Sequence, residues 1–503
     1  MAIPQVRLKH YLAYGSGDFF GMGTTALTGA WLLFFYTNFC NLTAIEAASI
    51  FAIARVFDAV ASPLMGFFTD NFGKTALGKR FGRRKFFILL GIPAVFSYCF
   101  IWVSDMNYFY YLITYLVFEI VYSMVLVPYE TLVPEMTNDF KQKTKFSGAR
   151  IAFAQVSYIV AAYLPGLFFT WYGKDNARVF FYSGIVVAVI CAVVLCLVYC
   201  YTWERPRPGE AAVEDGEKSA FNHTARKFVA EVFSTLKVKM FRKHLGMYLG
   251  GFIAQDLFNA VFAYYVIFVI YQTATVSSEL LGIMSVLQFV AVLAMIPLCI
   301  SWGPAPAYRL SVVLFGMACA AYGLLWLGDH NSLLLLMLVS ALAGVGRGGI
   351  NYIPWNTYTY MADVDEAITG QRREGIFAGV MTMTRKASQA GAIMVVGLLL
   401  QAAGFMPGQN QQPESVHQVI LLVLCGGTLL LLLGGYVVSR GFILNVKNHA
   451  VLRTCCTQMQ AAGGPVAGSL SVEEQQILEQ ITGLPYEQLW GNNTVAYYNR
   501  CPD

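Results

Sequence analysis

The stretch FAIARVFDAVASPLMGFF, residues 51–68, places Arg55 and Asp58 three residues apart inside an otherwise apolar run. Three residues apart on a helix means one shared face, so the two charges can neutralise each other. A charge at the centre of a bilayer costs about 2.5–3.5 kcal/mol on insertion scales, and such residues turn to a bundle interior or a watery cavity and find partners. The stretch is therefore expected to be a membrane-crossing helix with a built-in polar site. Two roles fit the pair. It locks this helix to its neighbours, or Asp58 faces a central cavity and binds a cation or orients a substrate; the second is the preferred reading.

The rest of the chain agrees with a membrane setting. Of 503 residues, 57% are hydrophobic and 13% charged, against about 25% charged in ordinary soluble domains. Runs of about 20 apolar residues are needed to cross roughly 30 Å of hydrocarbon. Twelve occur, at 11–37, 45–69, 86–103, 108–133, 147–172, 179–202, 245–271, 280–300, 308–327, 333–360, 375–402 and 418–439. The short alternating segments of a β-barrel are absent. With the N-terminus inside, most of the 34 Lys and Arg fall in the inner connections and termini, with Lys174 and Arg178 left to the outer loops. Both termini are then cytoplasmic, and the first apolar run is retained rather than cleaved. The net charge of +5 follows this topology, so no nucleic-acid partner is implied. The eleven cysteines are scattered without the spacing of metal ligands or a disulfide framework, and no cofactor is expected. No nucleophile–base–orienter set or phosphate loop is present, which argues against an enzyme.

The chain divides in the middle. A hydrophilic stretch, 203–244, separates six helices (1–202) from six (245–440), and its basic, amphipathic second half is expected to lie on the membrane face. A tail follows from 441 to 503. VPYETLVPEMTND (127–139) resembles IPWNTYTYMADVD (353–365), each near the end of the fourth helix of its half. Two six-helix halves with parallel repeats are the organisation of the major facilitator fold, and an all-α membrane protein of that architecture is the expected fold.

Polar residues inside the spans are Asp18, Arg55, Asp58, Glu119, Asp256, Arg347, Arg385 and Lys386, with Glu130 and Arg150 near helix ends. Sugar sites combine a few polar contacts with an aromatic face. The polar candidates are Asp18, Arg150, Asp256, Asn259, Asn356 and Thr382, and Tyr122, Tyr129 and Trp355 are the candidate stacking surfaces.

Several blocks in order, YGSGDF (14–19), FFYTNFCNLT (34–43), RVFDAVASPLMGFFTD (55–70), GKRFGRRKFFIL (78–89), VPYETLVPEM (127–136), ADVDEAITGQRREGIFAG (362–379) and TRKASQAGA (384–392), resemble the glycoside-pentoside-hexuronide:cation symporter family of the major facilitator superfamily. The resemblance spans about residues 11–440. It implies a secondary transporter that moves a sugar or glycoside with a cation by alternating access, expected as a monomer in a bacterial inner membrane. It also implies that Asp58 is the first of two helix-two carboxylates of a cation site, that Ser123 and Lys386 contribute to that site, and that Arg150 and Thr382 contact sugar. The sequence departs from the melibiose-transporting pattern at three points. Ser62 stands where the second carboxylate would be, and Met22 and Leu126 replace two sugar-binding aspartates, whereas Asp18 fits the GD pair of glucuronide-transporting members.

One carboxylate with the Ser62 and Ser123 hydroxyls is a thin ligand set for sodium. A buried carboxylate with a nearby cation, Lys386 or Arg55, suits a proton, so H+ is expected over Na+. The apolar Met22 and Leu126 argue against melibiose and for a larger or partly hydrophobic glycoside.

Two further segments resemble the gate motifs of the superfamily. In DNFGKTALGKRFGRRK (70–85), Asp70 and the arginines Arg83 and Arg84 are expected to pair and hold the inner face closed. DVDEAITGQRRE (363–374) is its counterpart, with Asp363, Arg372 and Arg373. Such pairs break once per cycle and should be modest in strength. In the tail, Ser471 and Glu474 form a capping-box pattern. Two rival functions remain at this level. A lysolipid carrier of the same fold would show an apolar lateral opening between helices five and eight or two and eleven, and a non-transporting sensor would signal through the tail.

Overall fold

A computed structural model describes residues 6–137, 140–173, 176–204, 234–328, 332–370, 374–409, 411–466 and 470–491. Among the described residues all regular structure is helical. Twelve helical spans follow one another: α1 Leu8–Asn38, α2 Ala44–Asn71, α3 Lys85–Phe100, α4 Tyr108–Glu130, α5 Phe140–Tyr172, α6 Arg178–Tyr201, α7 Lys239–Val269, α8 Ala274–Trp302, α9 Pro304–Leu327, α10 Leu333–Thr369, α11 Glu374–Ala402 and α12 Glu414–Ser439. Two shorter helices, α13 Val446–Ala462 and α14 Val472–Thr482, form the tail.

Local signals explain the boundaries. Thr43 and Glu46 close a reciprocal capping box at α2, and Thr273 caps α8 by accepting from the Val276 N–H, each satisfying helix donors that have no intrahelical partner. The box expected at Ser471 and Glu474 forms at the start of α14. Gly370, with φ of 73°, ends α10 in the left-handed conformation that glycine takes without strain.

Several ends run past the hydropathy limits, because charged flanks continue a helix beyond the hydrocarbon. At 37 residues α10 is about 55 Å long, well over a bilayer core, and its last turns carry Asp363 and Glu366 out of the apolar zone. The α7 helix begins at Lys239, so KMFRKH belongs to it rather than to the linker. The segment 205–233, where most of the linker and its amphipathic half were expected, lies outside the described residues.

The proline-bearing repeats behave differently. Pro128 stands three residues before the break at Thr131, after which Leu132–Met136 restarts as a separate short helix. Pro354 is carried inside the unbroken α10.

The halves meet at one end of the bundle. Thr37 of α1 and Tyr264 of α7 share a hydrogen bond of 2.7 Å, and Phe34, Phe268 and Phe405 pack around the Tyr264 ring. The Ser278 hydroxyl of α8 donates to the Ala162 carbonyl of α5 and accepts from the Gly166 N–H at 2.9 Å. Gly397 of α11 lies directly against Ala44 and Ala48 of α2. Trp355 of α10 is 41% exposed and Thr382 of α11 is exposed as well.

Candidate functional site: buried charge at the junction of the halves

The α2 charges are resolved into a four-member cluster. Asp58 Oδ1 accepts from Ser123 Oγ at 2.6 Å and from Ser62 Oγ at 3.0 Å. Its Oδ2 lies 2.6 Å from Lys386 Nζ on α11, which also donates to Ser62 Oγ at 3.1 Å. The Asp58 side chain is fully buried and that of Lys386 is 17% exposed. This pair joins α2 in the first half to α11 in the second.

Arg55 is not chiefly the partner of Asp58. Its Nη1 lies 4.0 Å from Asp58 but 3.5 Å from Glu119 Oε1 on α4, and its Nη2 donates to Tyr115 OH at 3.5 Å. Spacing along one helix found the shared face, but the nearer carboxylate comes from another helix. Glu119 is thus a member of the site that sequence reading left without a role. Two carboxylates and two cations sum to zero, which is what burial of charge requires.

A second group forms where α1 meets α5. Gly15 lies directly against the Ala149 backbone, where a side chain would not fit, and this close approach brings Asp18 opposite Arg150. Arg150 Nε donates to Asp18 Oδ1 at 3.0 Å and Nη2 to Glu130 Oε1 at 2.6 Å. Asp18 ends its helical turn where α1 passes into a π-type segment, Phe19–Gly23, a local widening common at functional sites. The Asp18 and Arg150 groups expected to grip sugar therefore hold each other in this conformation.

The tyrosines expected as stacking surfaces are packed away. Tyr129 stacks on Tyr14 at 4.7 Å and donates to the Tyr14 carbonyl at 2.7 Å, with Arg150 over its ring at 5.7 Å. Tyr122 is buried against Phe20 and Phe118 and donates to the Gly21 carbonyl at 3.2 Å. Both rings are spent on helix packing, because the aromatic-rich α4 faces the core of its own half. Trp355 alone of the three is open, edge-on to Tyr248 and Tyr358. Thr382, one turn before Lys386, shares its face of α11 and is exposed. Asn356 bonds the Tyr360 phenol.

The third group lies in the second half. Arg385 pairs with Asp256, which also accepts from Gln389 Nε2 at 3.2 Å, and the Arg385 guanidinium lies 5.2 Å over the Phe252 ring. Nearby, Arg347 donates to Gln255 Oε1 at 3.2 Å and Asn259 Oδ1 at 3.1 Å. The candidate Asn259 is therefore a partner of Arg347.

Residues that sequence reading did not single out also contact the gate motifs. The backbone N–H groups of Arg83, Arg84 and Lys85 all donate to the Glu204 carboxylate, at 3.0, 2.9 and 2.6 Å, an anion seated on the N-terminus of α3. Arg84 Nη1 also donates to the Thr131 carbonyl. In the second half, Asp363 is met by the tail: His449 Nε2 lies 2.7 Å away and Arg453 Nη1 3.0 Å, with Glu366 at 3.4 Å from the same arginine. The Asp70 side chain, Arg372 and Arg373 lie outside the described residues. Both holding groups lie just beyond the sixth helix of their half, and only the three-dimensional return of the chain brings them to the motifs.

Among the described residues no group of His, Cys, Asp and Glu has the arrangement of a metal site.

A family model described as MFS/sugar transport protein matches residues 13–445. The chain is similar to an uncharacterised symporter of Synechocystis (24% identical, covering 90% of this chain and 96% of that protein), a glucuronide carrier protein homolog of Escherichia coli (24%, 85% and 91%) and an isoprimeverose transporter of Lactiplantibacillus pentosus (23%, 81% and 83%). Among solved structures it resembles a POT family transporter in complex with 5-aminolevulinic acid (TM-score 0.59, 13% identical, 87% of this chain and 96% of that one). It also resembles a bacterial homolog of the human lysosomal transporter Spinster (TM-score 0.54, 14%, 86% and 96%). At these identities the solved structures speak for the fold alone, which is the twelve-helix, two-half major facilitator fold. The family is one of membrane transporters, not enzymes, and with its model matched across residues 13–445 this chain belongs to the sugar-transport branch of the major facilitator superfamily.

Proposed function

We propose that the protein is a symporter that carries a sugar or glycoside together with a proton, and that Asp58 is the proton-accepting group. The observation that carries this reading is the Asp58–Lys386 pair, 2.6 Å across the junction of the two halves. When Asp58 is ionised the pair ties α2 to α11. A proton on Asp58 removes its charge, frees Lys386 and loosens that tie, which links proton binding to the rocking of one half on the other. Sodium fits less well. The place a cation would take beside Asp58 is filled by the Lys386 ammonium, and the remaining oxygens, Ser62 Oγ and Ser123 Oγ, fall short of the hard-oxygen set such an ion prefers.

The sugar's path on this reading passes the exposed Trp355 and Thr382 toward Asp18, Arg150 and Asp256. Its arrival would compete with the Arg150–Asp18 and Arg385–Asp256 pairs, so binding exchanges internal ion pairs for contacts to hydroxyl groups. Both termini are read as cytoplasmic, in a bacterial inner membrane, and the Lys and Arg bias of the connections supports that orientation. The lysolipid alternative is not favoured, since α5 and α8 are bonded at Ser278 and α2 and α11 are closed at Lys386 and Gly397.

The test is uptake by proteoliposomes of a glycoside panel and one lysolipid under imposed proton or sodium gradients. Accumulation driven by the proton gradient is expected. Accumulation driven by sodium alone, or movement of lysolipid without sugar, would overturn the reading.

A further inference from the structure

The Asp58 cluster is neutral as a whole but not half by half. Arg55 and Asp58 on α2 and Glu119 on α4 belong to the first half, whereas Lys386 on α11 belongs to the second. The first half therefore contributes two carboxylates against one guanidinium, a net charge of −1, and Lys386 alone supplies the balancing +1. Any motion that draws α11 away from α2 carries Lys386 off and leaves the excess negative charge behind, at an Asp58 whose side chain is fully buried. An uncompensated buried charge is costly, and one proton on the first half makes the parting neutral.

Arg55 offers a way round that proton. It stands on the same helix as Asp58, with Nη1 4.0 Å from Asp58 Oδ2. A small turn of its side chain would close the gap and neutralise Asp58 once Lys386 had gone. Glu119 stands against this. Its Oε1 lies 3.5 Å from the same Nη1, its side chain is 1% exposed, and its helix α4 packs along α2 within one half, so it stays with Arg55 when the halves part. The other charged and titratable groups about Glu119 are Asp58, Lys386, Tyr115 and Tyr122. Of these only Lys386 is a cation, and it leaves with α11. With Glu119 ionised, a shift of Arg55 toward Asp58 merely passes the bare charge to Glu119. The sum stays at −1, and a proton is what cancels it.

We propose that Glu119 is the positioning residue that obliges the cycle to carry a proton: by keeping Arg55 occupied it leaves Asp58 no internal cation to take in place of Lys386, so the halves part only with Asp58 protonated. This rests on the proton-symport reading above and extends it to a second carboxylate, which acts through Arg55.

The experiment is uptake by proteoliposomes holding the purified full chain, with the membrane potential clamped and a proton gradient imposed. The probe is whichever of methyl glucoside, methyl galactoside, methyl xyloside and methyl glucuronide the native chain accumulates. One proton per sugar permits about tenfold accumulation per pH unit of gradient. Glu119→Gln leaves the first half neutral, with Arg55 released to Asp58, so it should still exchange labelled sugar yet accumulate none. Glu119→Asp keeps the charge and should keep accumulating. Arg55→Gln combined with Glu119→Gln removes both charges and returns the first half to −1, so accumulation should come back; with no arginine left unmatched, this double variant decides the matter where Glu119→Gln alone fails its size-exclusion profile. Uphill accumulation by Glu119→Gln, or a double variant that exchanges sugar without accumulating it, would overturn the inference and leave the symport reading standing. A native chain that accumulates none of the four sugars under the proton gradient would remove that reading, and the inference with it.

Discussion

The surroundings of Asp58 and of Arg347 are both buried and both charged, yet they are balanced differently. Around Asp58 two carboxylates and two cations close on one another, and the closure runs across the junction of the halves through Lys386. Around Arg347 a single cation lies within one half, held by neutral amides. A balanced cluster is complete in itself and changes only when a proton alters the count. In an unbalanced one the cation keeps the cost of its burial, offset only in part by neutral acceptors. On the reading proposed above, the first of these is the coupling site.

Substitutions should separate the two with opposite signs. The largest effect is expected at Glu119. Changing Glu119→Gln removes the nearer partner of a buried arginine, and breaking such a pair costs about 3–5 kcal/mol, so thermal unfolding in detergent should shift sharply downward. Arg347→Gln should move stability the other way, because it deletes an uncompensated charge whose burial costs about 2.5–3.5 kcal/mol on insertion scales. A rise in melting temperature measured without sugar would agree, and a fall as large as that of Glu119→Gln would erase the distinction between the clusters.

Smaller effects belong to the ends of the bundle. Thr37→Val removes one buried hydrogen bond to Tyr264, worth about 1 kcal/mol. Spin-label distances across the closed end should show a roughly fivefold shift toward opening. At the other end, Arg453→Ala removes one of the tail's two contacts to Asp363. With its side chain 44% exposed, the loss should be under about 1 kcal/mol, and uptake should persist, as a carrier rather than a tail-driven sensor requires.

The fold was legible because a bilayer imposes length and composition on every span. The repeat at 127 and 353 was legible as well, though not that Pro128 precedes a break while Pro354 is carried within a continuous helix. Of the Asp58 site, the members Asp58, Ser62, Ser123 and Lys386 come together as the resemblance implied. The pairing of Arg55 with Glu119 was not readable, since spacing along one helix reports neighbours on that helix and says nothing of the helix opposite. That Tyr122 and Tyr129 are buried in helix packing here was not readable for a related reason. An aromatic in a span is as suited to packing as to stacking on sugar, and only burial distinguishes them. Arg347 did leave a signal, an arginine set among four glycines within AGVGRGGI (343–350), which marks a charge pressed close by neighbouring backbones. The tail contacts to Asp363 left none, because His449 and Arg453 lie more than eighty residues further along the chain.

Asp58 is the group proposed to couple a proton to sugar movement. The direct measurement is uptake into proteoliposomes that start with equal sugar on both sides and an imposed proton gradient, comparing the native chain with Asp58→Asn. The native chain should accumulate sugar against its own gradient, while Asp58→Asn should exchange labelled sugar and accumulate none. Uphill accumulation by Asp58→Asn would contradict the account.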